Sequence, residues 1–440
     1  MRHREAPPAP RSGPRVAVVG GGWAGIAAAV ALARDGAGVT VYEAARTLGG
    51  RARRVTLEDV DLDNGQHILV GACRAVLGAM RTVGADPGAL LVRLPLDLEI
   101  AGRFRLHAPR LPAPLHLLVG LLRARGLSAR ERLKVVRFML AMAARRYRLP
   151  ADITAAALLA AHGQLGAPTD FLWEPLCVAA LNTPLAAASA QVLMNVVRDT
   201  LGADRAASDL LLPRCDLSAL FPEPGARYVE ARGGRVLPGR RVTRVEPAAA
   251  GIAVDGERHD AAILACAPQH AAQLLAPAGL LPELRPRLEA LAFEPIYTCY
   301  LQYPSAVALP RPMLGLADGL VQWAFDRGTL DGRRGLLAAV VSARGEHEEL
   351  ARGEFAATAH RELARVVRDL PSPEWSRTIA ERRATFSCTP GLDRPGNATA
   401  LPRLFLAGDY TASDYPATLE GAVRSGLAAA RLALAAGRIA

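Results

Sequence analysis

The chain has 440 residues, 51% hydrophobic and 22% charged, a balance that excludes a disordered protein and allows two or three domains or one large composite fold. Lysine and arginine number 53 against 42 acidic residues, a net charge of +11, but Lys134 is the single lysine, so the excess reads first as a preference for arginine. Aromatic residues at 5% are too few for a protein that stacks bases, which sets nucleic acid aside as a partner, while an anionic lipid surface remains compatible with the charge.

Residues 1–14 are basic and proline-rich and lack an apolar core, so they read as a disordered leader and not as a secretory signal. Arg15–Val19 is a β-branched run and predicts a buried strand. The segment Gly20-Gly21-Gly22-Trp23-Ala24-Gly25 follows and fits Gly-x-Gly-x-x-Gly at Gly20, Gly22 and Gly25. Small residues continue as a helix over 26–34, closed by Gly36, and residues 38–42 predict a second strand ending at Glu43. In such a unit the first glycine permits a tight turn, the second lets the backbone approach a pyrophosphate, and the third packs helix on strand. The helix N-terminus offers free N–H groups to phosphates. Glu43, 21 residues after Gly22, is placed to hold a ribose hydroxyl pair. Just beyond it, Leu48-Gly49-Gly50-Arg51 is a second glycine pair followed by arginine. A nicotinamide dehydrogenase has no general need of Gly50 and Arg51, whereas a fixed flavin needs more of the chain to hold it.

Residues 86–222 are largely helical in pattern. The stretch 111–122 is apolar and bracketed by Arg110 and Arg123. Ser128-Ala129-Arg130-Glu131 is a capping box, and the helix it starts carries Arg130, Lys134 and Arg137 on one stripe and Leu133, Val136 and Leu140 on another. Such a helix suits either a solvated charged face or an anionic membrane. Residues 171–177, 180–184 and 293–303 supply apolar walls suited to a hydrocarbon. Residues 175–197 and 261–282 are uncharged, but prolines and amides interrupt both, so they read as buried segments and not as membrane spans. In the middle of the chain, Gly233-Gly234-Arg235-Val236 leads to 241–245 and to a strand over 261–265. Near the end, 404–407 predicts a buried strand followed by Gly408-Asp409. A helix is expected from about Pro416, in its first turn, with Leu419, Val423, Leu427 and Leu434 on one face. The six cysteines and nine histidines show no metal-binding spacing, so no metal is expected and a reducing compartment fits.

The glycine fingerprint with Glu43, the Gly49-Gly50-Arg51 stretch and the C-terminal Gly408-Asp409 resemble the flavin amine oxidase and carotenoid desaturase superfamily. The resemblance implies FAD held by three separated stretches. Asp409 would meet the ribityl or pyrophosphate part, Val242 the adenine through its backbone, and the helix start near Leu419 the flavin pyrimidine edge, where its dipole favours the anionic reduced ring. The implied fold class is α/β, an α+β composite. A Rossmann-like FAD-binding domain is drawn from 15–85, 223–290 and 390–440, with a largely helical substrate domain carrying some β-sheet at 86–222 and 291–389.

Three passages narrow the match: Asp63-Asn64-Gly65-Gln66-His67-Ile68-Leu69; Trp173-Glu174-Pro175-Leu176 with Ala180-Leu181-Asn182-Thr183-Pro184; and Gly408-Asp409-Tyr410-Thr411 with Tyr415-Pro416-Ala417-Thr418-Leu419-Glu420-Gly421. From about residue 15 to 435 the chain resembles the hydroxysqualene dehydroxylase family of bacterial hopanoid synthesis. That implies reductive removal of a hydroxyl from a long-chain isoprenoid in a dry site. With one complete dinucleotide fingerprint, it also implies an external electron donor, NAD(P)H or a reductase. The implied location is cytoplasmic, with a peripheral position on the inner face of the cell membrane compatible. A general acid should protonate the leaving oxygen. His67 is the first candidate because the superfamily places its turn by the flavin. Asp414 and Tyr415 come second because their loop precedes the flavin-facing helix, and Glu174 and Tyr410 are also in reach. The competing readings are a carotenoid-type desaturase, a flavin amine oxidase, which needs an aromatic cage, and a non-catalytic lipid-binding protein.

Overall fold

The computed structural model describes residues 13–277 and 279–437, so residues 1–12 of the expected leader lie outside the described residues. Its organising element is a five-stranded, all-parallel sheet in the order Arg235–Pro238, Gly38–Glu43, Arg15–Val19, Ala261–Leu264 and Leu404–Leu406. The strands come from three remote parts of the chain. Parallel strands covered on both faces read as unbroken apolar runs. Accordingly Val16, Val18, Ile263, Leu404 and Leu406 are fully buried.

The helix after the first strand runs over Trp23–Arg34, three residues earlier than the sequence pattern indicated. Gly22, extended at φ −74° and ψ 179°, is its N-cap, so the fingerprint's last glycine lies inside the helix. At the other end Gly36, at φ +89°, lets the Ala37 N–H reach the Leu32 carbonyl at 3.0 Å and its own N–H reach Ala33 at 3.4 Å. That double closure is a Schellman motif. The helix is buried nearly all round because the sheet and the Pro222–Glu230 and Leu419–Gly437 helices pack against it. Small residues make this possible: a Cβ on Gly25 would lie 1.9 Å from the Gly20 carbonyl oxygen, and one on Gly426 2.1 Å from that of Ala24.

The C-terminal helix starts at Leu419, not near Pro416. Thr418 is its cap: the Thr418 hydroxyl accepts the Gly421 N–H at 3.1 Å and the Thr418 carbonyl accepts the Ala422 N–H at 2.9 Å. A local side-chain acceptor wins over the proline signal, and Pro416 stays in the preceding loop.

The rest of the chain carries more sheet than the helical pattern of 86–222 implied. Seven strands follow the order Trp375–Phe386, Phe293–Gln302, Leu336–Ser342, Trp323–Asp326, Met313–Gly315, Asp97–Ile100 and Phe104–His107. All pair antiparallel except one parallel contact, Gly315 with Ile100. Leu336–Ser342 is buried on both faces, so it shows no alternation by which a strand could be told from a helix. This half also carries helices, among them Leu115–Leu122, Ala129–Ala144, Glu174–Leu181, Ala190–Thr200 and Arg352–Leu363.

A buried charge cluster fastens the Asp63–His67 turn to the seven-stranded half. Arg327, with no exposed surface, lies 3.5 Å from Asp63 and 2.5 Å from Asp331, and it donates to Gln66 Oε1 at 2.7 Å. Asp63 also accepts the Leu217 N–H at 2.8 Å, and its carbonyl accepts the Tyr300 hydroxyl at 3.0 Å. Burial pushes the Asp63 carboxyl up to about 6 even though Arg327 and the Leu217 N–H draw it down. Replacing Arg327 with methionine leaves the buried Asp63 carboxyl without its cation, while Asp331 keeps Arg333 at 2.6 Å. Urea unfolding of Arg327→Met should therefore show a loss of about 3–5 kcal/mol; an unchanged midpoint would mean the cluster does not hold this turn.

Candidate active site

A cavity of about 1270 Å³ joins the two halves. That exceeds the roughly 300–1,000 Å³ of a site for one small ligand and is room for a dinucleotide and a second molecule. Gly20, Gly22, Glu43, Gly50, Arg51, Val242, Gly408, Asp409 and Leu419 all line it. Of the cofactor residues expected from sequence, Gly25 alone stands behind the wall, where it packs on Gly20.

The glycines shape a cradle. Gly20 turns at φ +116°, and a Cβ there would lie 2.6 Å from the Ala265 oxygen. Gly22 bridges Gly49 and faces the backbone of Gly50, itself at φ +64°. The helix that begins here has no acidic residue in its first turn and no side-chain cap, so its end is open to an anion. Glu43 is held still: its two oxygens accept the Gly21 N–H at 2.6 Å and the Ala45 N–H at 2.7 Å. Lone pairs remain on both oxygens for hydroxyl donors.

Arg51 closes the cradle. It donates to the Ala384 carbonyl at 2.6 Å and pairs with Asp409 at 2.5 Å, joining residues 358 positions apart. Asn64 donates to the Arg51 carbonyl at 2.8 Å and to Glu381 at 3.0 Å. On the C-terminal side the Gly408 N–H is held by the Ser425 hydroxyl at 3.0 Å, and the start of the Leu419–Gly437 helix faces the same cavity. A cradle free of Cβ atoms, an open helix end, a fixed carboxylate and a second helix end together fit FAD.

The expected catalytic residues divide. His67 lines the cavity, and its Nδ1 lies 3.0 Å from the Gly65 carbonyl. A carbonyl only accepts, so Nδ1 carries the hydrogen and Nε2 the lone pair. Burial lowers its pKa, so the imidazole is neutral at pH 7 and accepts where the sequence reading had it donate. Tyr415 also lines the cavity and donates to Asp199 at 2.9 Å. Burial, then that bond, pushes the phenol up to about 12. Burial pushes the Asp199 carboxyl up too, but hydrogen bonds from Arg198 and Tyr415 outweigh it and hold it low. Asp414 is not brought into the wall. Its side chain is 72% exposed, because the loop is anchored through the Asp414 carbonyl, which accepts from Asn195 at 3.1 Å. Glu174 is also absent from the wall. Tyr410 is in it, with a buried hydroxyl that has no protein partner and a pKa raised well above the usual value by burial.

Glu420 is a wall residue that sequence reasoning missed. Only 3% exposed, it accepts the Ala75 and Val76 N–H groups, each at 3.0 Å, at the start of the Arg74–Thr82 helix. Arg424 donates to it at 2.7 Å. An acid in a first helical turn is a visible signal, but nothing local shows that it caps a different helix.

The apolar side of the cavity is built from Leu176, Phe293 and Ile296, in stretches expected to form it, and from Val178, Leu98, Phe325 and others. Trp173 instead lies in the core, donating to Gln164 at 3.1 Å.

The family model described as flavin containing amine oxidoreductase matches residues 23–434. Hydroxysqualene dehydroxylase of Rhodopseudomonas palustris is 32% identical over 96% of this chain and 99% of its own length. That of Sinorhizobium fredii is 30% identical over 95% and 98%. Among solved structures, cyclohexylamine oxidase from Brevibacterium oxydans superposes with a TM-score of 0.70 at 18% identity, covering 97% of this chain and 99% of that one, a likeness of fold. The chain therefore belongs to the flavin-containing amine oxidoreductases and, among them, to the hydroxysqualene dehydroxylase family, and it is an FAD-dependent oxidoreductase.

Proposed function

We propose that the protein removes the hydroxyl of hydroxysqualene reductively, giving squalene and water. The observation that carries this reading is a hydrocarbon-lined space continuous with the FAD cradle. Each methylene buried there contributes about 0.8 kcal/mol, so a long isoprenoid binds with few polar anchors. Reduced FAD supplies the hydride.

The chain's own residues do the rest. The apolar wall keeps water from the carbon that loses its hydroxyl. Nε2 of His67 accepts the substrate hydroxyl's hydrogen and orients the leaving oxygen. The phenols of Tyr410 and Tyr415, held protonated by burial, are the neutral donors from which that oxygen takes its proton. Arg51 and Asp409 hold the cofactor, and Val242 meets its adenine through the backbone. Electrons arrive from an external donor, NAD(P)H or a reductase. Among the described residues no helix is long and apolar enough to cross a membrane, and we place the protein in the cytoplasm, peripheral on the inner face of the cell membrane.

Anaerobic mixing of the photoreduced protein with hydroxysqualene should return the oxidised flavin spectrum as squalene forms, one to one. Reoxidation without squalene would end the reading. Asp409→Ala removes a charge-assisted contact and should weaken flavin retention between roughly ten- and a hundredfold, measured by absorbance after gel filtration. His67→Phe should keep its flavin and lower kcat/KM about tenfold, the worth of one hydrogen bond. Because the folded imidazole titrates below its ordinary value of about 6.5, the neutral acceptor is present above that pH. The acid limb of the profile should fall below pH 6.5 and vanish in the variant.

A further inference from the structure

We propose that the surface formed by the Leu115–Leu122 and Ala129–Ala144 helices and the turn after them, residues 110–148, docks on an anionic lipid bilayer. The inference rests on the preceding reading for its purpose, delivery of a membrane-dissolved substrate, but on separate residues for its evidence.

The apolar evidence is a concentration. Among the described residues, the exposed large hydrophobic side chains lie between 111 and 165, with Leu432 the exception. Leu111, Leu115, Leu122, Leu133 and Leu140 fall on the two helices or their approach, and Leu133 and Leu140 are 54% and 64% exposed. The inward face of the second helix is made by Val135, Val136, Phe138, Met139 and Met142. The stripe expected to hold Leu133, Val136 and Leu140 is therefore split: Val136 packs inward, while Leu133 and Leu140 are surplus to the core and exposed beside Arg130, Lys134 and Arg137.

The charge evidence is a concentration too. Residues 110–148 hold nine arginines and Lys134 against the single acid Glu131, nine of the chain's net eleven positive charges. Glu131 is committed to the capping box, accepting the Ser128 N–H at 2.7 Å. Arg132 is turned inward, donating to the Leu122 carbonyl at 2.7 Å and the Leu127 carbonyl at 3.2 Å, which ties the two helices together. Among the described residues none of the other cations of this stretch lies within 4 Å of a carboxylate. Elsewhere Arg54 is paired with Asp216 and Glu223, and Arg311 with Asp97 and Glu99.

Leucines interleaved with unpaired cations match a bilayer with anionic headgroups. The cations are drawn to the surface within a Debye length, and the leucines enter the headgroup–acyl boundary. The patch also stands directly behind the cavity. His116 on the first helix lies 3.5 Å from the Ser208 hydroxyl, a wall residue. Gln191 accepts the Leu149 N–H at 2.8 Å and donates to the Tyr147 carbonyl at 2.9 Å. That binds the turn to the Ala190–Thr200 helix, whose far end contributes Val196, Asp199 and Thr200 to the wall.

The test is co-sedimentation of the FAD-loaded full chain with vesicles of phosphatidylcholine alone or mixed with phosphatidylglycerol. Wild type should bind the anionic vesicles more than a hundredfold more tightly, because each cation near the surface adds its own attraction. The triple variant R130Q/K134Q/R137Q should lose on the order of a hundredfold on those vesicles, and L133S/L140S should lose binding at fixed charge. Both variants should keep their flavin spectrum and full turnover of detergent-dispersed hydroxysqualene, while losing turnover of substrate carried in vesicles. Equal binding of wild type to both vesicles, or wild-type binding by both variants, would overturn the proposal. Anionic-vesicle binding by a protein inert toward hydroxysqualene in either form supports the surface and counts against the substrate reading alone.

Discussion

The ion pair between Arg51 and Asp409 is the contact on which the site depends. It crosses 358 positions of sequence and joins the glycine-rich stretch after the second strand to the loop before the last helix. Side-chain exposure is 31% for Arg51 and 9% for Asp409, so the pair is largely out of water, where one partner without the other would be costly. Around it the backbone is fixed by short-range devices: the Gly22–Gly49 bridge, the Asn64 amide on the Arg51 carbonyl, and the Ser425 hydroxyl on the Gly408 N–H. The cradle is thus rigid before any cofactor is held, which lowers the ordering cost of binding it.

The same economy shapes the other half. Arg327 is the hub that lets a polar turn, Asp63 to His67, stand beside an apolar chamber. Its guanidinium serves two carboxylates and one amide at once, so the turn is fastened from behind and its cavity-facing residues are free for ligands. His67 shows the consequence. Its tautomer follows from one backbone carbonyl and its neutrality from burial. The chemistry of the side chain is therefore decided by neighbours and not by residue type.

Among the helix ends that meet the cavity, those of the Trp23–Arg34 and Leu419–Gly437 helices are made available differently. The Trp23–Arg34 helix is capped by a glycine that offers no side chain. The Leu419–Gly437 helix is capped by Thr418, which satisfies only the Gly421 N–H. The carboxylate of its Glu420 is taken up by the start of the Arg74–Thr82 helix and by Arg424, so an acid in the first turn does not cancel the end's positive character toward the cavity.

The dinucleotide unit was legible in the sequence because its determinants are local. Gly20, Gly22 and Gly25 recur at fixed spacing within six residues, Gly25 is required by its contact with Gly20, and Glu43 follows at the end of the next strand. Gly408-Asp409 was legible for the same reason, as a turn between a buried strand and a helix. The start of the last helix was misplaced by three residues because a threonine cap competes locally with a proline. Much of the second half was not legible. Leu336–Ser342 is apolar throughout, and periodicity cannot name a strand buried on both faces. What only the tertiary structure decided were partnerships over hundreds of residues, namely Arg51 with Asp409, Glu420 with the helix at Arg74, and Asn195 with the Asp414 carbonyl that keeps the Asp414 side chain out of the cavity, together with the burial that keeps His67 neutral. A side chain's partner at long range, and the water it loses, are properties of the packed interior, and no local pattern encodes them.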